Sequence, residues 1–199
     1  MSAELPPTAA DAESNKIIAA TRLWLERAVI GLNLCPFAKA VHVNGRIRYC
    51  VSDAQSTMEL VTDLSTELRA LRAADPAVCE TTLLIHPGVL TDFVEYSLFL
   101  RSAERTVAKQ GFAEEFQIAS FHPDYQFGDA GPDDVENYTN RSPYPMLHLL
   151  RESSIERAVA AFPDAAMIYE KNIETLRRLG HAGWQRLWVA EEDAVPGNR

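Results

Sequence analysis

Apolar side chains recur at helical spacing from the first legible segment: Ile17, Thr21, Trp24, Leu25, Ala28, Val29 and Leu32 fall on one stripe. The pattern predicts a helix from a Ser14 cap that stops at Gly31 and Asn33. Residues 1–13, small, acidic and proline-containing, read as a disordered lead-in. The pattern then changes. Ala38–Val43 and Arg46–Asp53 flank Asn44-Gly45, the pair suited to a type I′ turn, and predict an N-terminal β-hairpin with Val43 opposite Arg46. Ser56 and Glu59 form a capping box for a helix whose inner face is Thr57, Val61, Leu64, Leu68 and Leu71. Thr81–His86 is a short apolar run of the kind found in buried strands. Asp92 and Glu95 start a helix with Phe93, Tyr96, Leu100, Ala103 and Val107 inward and Gly111 at its end. Glu115–Phe121 reads as a further strand.

A loop rich in Pro, Gly, Asp and Asn follows over residues 122–142, long enough to suggest a function. Ser142-Pro143 resembles an N-cap and first-turn proline, predicting a helix with Tyr144, His148 and Arg151 on one face. Ser153 with Glu156 caps a short helix ended by Pro163, and a last helix runs from about Asp164 to Gly180 with Tyr169, Ile173 and Leu176 inward. These elements amount to an α/β (or α+β) fold: a small mixed sheet of about four strands, hairpin included, flanked by helices and helical at its C-terminal end. Residues 14–190 form one domain and 191–199 a flexible C-terminus.

The chain's 199 residues, 47% hydrophobic and 24% charged, suit one globular domain. A net charge of −9 without a basic run speaks against nucleic acid and anionic membranes as partners. Three widely spaced cysteines, no secretory leader and no membrane-length apolar run point to a reducing, cytoplasmic setting.

Strand–helix–strand connections give parallel strands, so those ending near Asp53, His86 and Phe121 should finish at one rim, where ligands of open α/β sheets bind. Two of the ends read alike, His86-Pro87 and His122-Pro123, and the hairpin would bring Cys35 to the same rim. Three chemistries follow. His86, His122 and His148 suit a transition metal such as zinc, iron or copper, against the plainer reading of strand-end histidines bonded to carbonyls. Cys35 suits a nucleophile or redox centre with His122 or His86 as base and Asp124 orienting the imidazole, against a small buried apolar thiol. Asn140, Arg141, Ser142, Tyr144 and Arg151 suit a clamp on an anionic metabolite, with Tyr125 or Tyr144 as proton donor, against ion pairing with the acidic loop. Glycine-rich nucleotide loops, the serine elbow and H-E-x-x-H are absent from the sequence. The first reading is an enzyme with Cys35, His122 and His148 at its centre. The alternatives are a non-catalytic module that binds a metal, cofactor or partner in the same pocket, and an oligomer joined through the segment of Trp184 and Trp188.

Three segments, LNLCPFA (Leu32–Ala38), FHPDYQF (Phe121–Phe127) and NRSPYPMLHLLRE (Asn140–Glu152), together resemble the uncharacterised domain-of-unknown-function family numbered 1415. The likeness extends over nearly the whole chain after the N-terminal tail and implies no activity.

Overall fold

The computed structural model describes residues 9–161 and 167–189. Among them, four strands make one sheet in the order β1 (Ile47–Val51), β2 (Thr81–Ile85), β4 (Met146–Arg151), β3 (Phe116–Phe121). β1 pairs parallel with β2, and β4 enters between β2 and β3, antiparallel to both. β1, β2 and β3 therefore all point the same way, and their carboxyl ends do share a rim.

Helices α3 (Thr57–Ala73) and α4 (Phe93–Lys109) cover one face, packing Leu60, Leu64, Leu68, Leu71, Tyr96 and Ala103 on Leu84, Leu147 and Leu149. The four α3 leucines are wholly buried, and each such side chain contributes roughly 1.5–3 kcal/mol. The buried stripe includes Leu60 and leaves Thr57 exposed, a rotation from the expected face. Both helix starts are as expected. Ser56 Oγ accepts from Glu59 N–H while Glu59 accepts from Ser56 N–H, and Asp92 accepts from the amides of Val94 and Glu95.

The other face carries α1 (Ala9–Trp24), a π-helical turn (Leu25–Ile30) and α6 (Ile168–Arg186), packed on Leu83, Ile85 and Met146. α1 begins five residues before Ser14, which is thus not its cap. The π turn ends at Gly31 and the chain reverses at Asn33, whose φ is 55°.

Two expected elements are replaced. Ala38–Val43 is not a hairpin arm but the short helix α2, and Asn44-Gly45 closes it. Gly45, at φ 66°, donates to the His42 carbonyl, so this glycine ends a helix instead of turning a hairpin. The segment after Pro143 is not helical but the strand β4. Its Met and Leu residues favour helix in isolation, yet between β2 and β3 they are buried on both sheet faces, and two ladders satisfy their backbone.

α5 (Glu152–Ala161) follows β4, close to the expected short helix; Pro163 and Asp164 lie outside the described residues. α6 continues past Gly180 through a break (φ 64°, ψ 176°), and Tyr169, expected inward, is exposed while Leu176 is buried. Among the described residues no helix is long and apolar enough to cross a membrane.

Candidate ligand pocket

The sheet's alternation decides where each imidazole points. His86 and His122 follow Ile85 and Phe121 at the carboxyl rim and lie on the α4 face, their rings 5.8 and 5.1 Å from the Tyr96 ring. His148 faces the other way, over β2 from the α1 side, with Nε2 2.7 Å from Thr81 Oγ1. Cys35 also packs on the α1 face. The expected three-histidine set and the Cys35–His122 pair are thus divided by the sheet. Among the described residues no three His, Cys, Asp or Glu side chains are grouped to hold a metal ion.

The partners of His122 assign it a bracing role. The Asp124 amide donates to Nδ1 (3.0 Å), so the proton sits on Nε2 and is donated to the Leu90 carbonyl (3.2 Å). Asp124 thus orients the imidazole through its backbone and not its carboxylate. The ring joins two loops, and its main chain pairs with Asn140 and Ser142. Leu90 is buried with φ at 57°, a left-handed conformation costly for leucine that delivers its carbonyl to His122. His86 Nδ1 faces the Val89 carbonyl at 2.9 Å and must carry the proton, which leaves Nε2 a bare, buried lone pair. Burial lowers the pKa of all three imidazoles, to about 4 for His86 and for His148. Burial raises the Cys35 pKa, opposed by the Phe37 and Ala38 amides.

Tyr125 lies between Phe93 and Phe127, both at 5.1 Å, with Ser120 Oγ 3.5 Å from its hydroxyl. Tyr96 is the tyrosine with a precise duty that the sequence did not reveal: its hydroxyl accepts from Phe121 N–H and donates to the Met146 carbonyl, bridging β3 and β4 at the rim. Arg151 stands at the opposite end of the sheet, donating to the Leu71, Ala74 and Cys79 carbonyls where α3 ends, and cannot join an anion clamp at the rim.

Asn140, Arg141 and Ser142 do reach the rim. Asn140 Nδ2 donates to the Ser120 carbonyl, and Ser142 Oγ donates to that of Tyr144, whose ring packs on the α1-side core. Arg141 braces the long loop by donating from Nε to the Tyr125 carbonyl (3.1 Å) and from Nη2 to that of Pro132 (2.7 Å). Its guanidinium lies 5.0 Å from the Tyr138 ring, and Trp24 Nε1 donates to its carbonyl. Tyr138 in turn stacks on Trp184, with centroids 4.5 Å apart and planes 4° apart, and Trp188 meets Trp184 edge-on at 5.5 Å.

These contacts enclose a concavity of about 400 Å³ between α1, the loop and the last turns of α6. Trp24, Tyr138, Trp184 and Trp188 wall it, Pro123 and Pro143 edge it, and Arg141 and Ser142 are its polar residues. Sequence reasoning placed Arg141 and Ser142 at the rim but read the tryptophans as core or interface anchors; the i,i+4 spacing of Trp184 and Trp188 pairs those two, and nothing local signals that Trp24 joins them. A second concavity of about 440 Å³, at the end of β1, is lined by four acids, three of which are already engaged. Asp63 accepts from Ser52 Oγ, Glu59 caps α3 and Glu67 pairs with Arg48. Cys50, beside them, is held protonated by burial and Glu67, its pKa pushed up to about 12.

The family model described as "Protein of unknown function (DUF1415)" matches residues 16–186. The chain belongs to this family. No curated protein and no solved structure matches it. The DUF1415 match spans every strand, the long loop and α6 through Trp184, so most of the aromatic pocket lies within the family's extent.

Proposed function

We propose that this DUF1415 protein binds a small organic molecule, without covalent chemistry, in the aromatic pocket at the carboxyl rim. One observation carries the reading: a concavity of about 400 Å³ walled by three indoles and a phenol, with few polar groups. Ligand sites of this size are mostly apolar, with a small number of placed polar groups, and favour the carboxyl ends of strands in α/β sheets. A catalytic reading centred on Cys35, His122 and His148 loses its support, because the sheet separates those side chains and His122 spends both ring nitrogens on backbone partners.

The test is a titration with 2-naphthamide, a neutral two-ring probe, followed by the indole N–H resonances of ¹⁵N-labelled protein. Trp24, Trp184 and Trp188 signals are expected to shift together and saturate, and Trp184→Ala to weaken binding at least tenfold, the loss of a stacking wall. Unmoved indole signals at millimolar probe would rule the pocket out as a site for such molecules.

A further inference from the structure

The polar inventory of the pocket has one sign. Trp24 Nε1 is spent on the Arg141 carbonyl, whereas among the described residues the indole N–H groups of Trp184 and Trp188 have no protein acceptor. Arg141 gives Nε and one terminal nitrogen to carbonyls and faces no carboxylate within ion-pairing distance among those residues. Among the described residues no Asp or Glu lines the pocket. In a chain of net charge −9, this is a local concentration of donors and positive charge.

Resting on the reading above, we infer that the ligand class is a planar aromatic carboxylate, its ring against the indoles and its carboxylate on Arg141. Two arguments select this class. A guanidinium presents donors in a planar fork that matches a carboxylate, and Arg141 Nη1 is uncommitted. An aromatic cage otherwise suits an organic cation, but the face of Tyr138 is already occupied by Arg141, and a second cation would meet like charge with no acid among the described lining residues to offset it. The Tyr138–Trp184 stack also fixes two of the walls before any ligand arrives, which lowers the ordering cost of binding a flat ring.

Calorimetry on the full chain with three probes that share one ring system, 2-naphthoate, 2-naphthamide and 2-naphthylmethylammonium, tests this assignment. The naphthoate is expected to bind tightest, by roughly tenfold or more over the amide, the usual range for a hydrogen bond to a charged group. Its affinity should fall as sodium chloride rises from about 50 to 500 mM, while that of the amide stays level. Arg141→Gln should bring naphthoate and amide to parity. Because this variant also loses loop contacts, the wild-type ranking and salt dependence stand as tests by themselves. Equal affinity for naphthoate and amide, or a preference for the ammonium, would overturn the inference and leave the pocket reading intact. No binding by any of the three would overturn both.

Discussion

Individual side chains at the rim act mainly by joining backbone segments. His122 is the plainest case, with one ring nitrogen on the Asp124 amide and the other on the Leu90 carbonyl. Truncation leaves the buried Leu90 carbonyl and the part-buried Asp124 amide without this partner and opens a cavity, so His122→Ala is expected to cost about 2–4 kcal/mol in urea unfolding. Arg151 does comparable work at the far end of the sheet, where its guanidinium serves three carbonyls. Arg151→Ala should lower the unfolding free energy by about 2–3 kcal/mol, seen as a lower urea midpoint at unchanged slope, yet leave naphthoate affinity as it was. A loss of affinity in folded Arg151→Ala would restore the anion clamp that its place in the sequence suggested.

Whole elements show why local patterns were legible in some places and misleading in others. The capping residues of α3 and α4 act through neighbours three positions away, so the sequence displays them directly. Asn44-Gly45 is ambiguous by nature, because a positive φ at glycine serves both a hairpin turn and a helix end. The helix end needs positive φ only at Gly45; Asn44 sits at φ −81°. Gly45→Ala should therefore cost about 1 kcal/mol, with no steric neighbour to add to it. Asn44→Ala should cost less, losing one exposed bond to the Ala40 carbonyl; a type I′ hairpin would penalise both positions alike. Thermal unfolding of the two variants separates the cases. β4 was misread because a strand buried on both faces lacks alternation, and its helix-forming Met and Leu residues then dominate the local signal.

The assembled molecule carries a pH dependence that no one element shows. His86 and His148 lie on opposite faces of the sheet, and burial lowers both to about 4, from the ordinary 6.5. Between those values the unfolded chain binds protons that the folded chain refuses, so folding weakens as pH falls. Each histidine's stabilising contribution is full above pH 6.5, falls by about 1.4 kcal/mol per pH unit between 6.5 and 4, and is spent below about pH 4. Urea unfolding at pH 7 and pH 5.5 should differ by roughly 2–3 kcal/mol. Equal midpoints at the two pH values would mean that these imidazoles are hydrated.

The caps of α3 and α4 and the shared direction of β1, β2 and β3 follow from residues close together in the chain, where spacing and turn chemistry speak for themselves. The sequence alone thus brought His86, His122 and the Asn140–Ser142 segment to one rim. It left open which face of the sheet each side chain occupies. That depends on strand registers, and on β4 inserting between β2 and β3, both set by burial across distances that local patterns do not carry. Tertiary packing alone separated Cys35 and His148 from the other imidazoles, sent Arg151 to cap α3, and brought Trp24 and Arg141 to the remote pair Trp184 and Trp188.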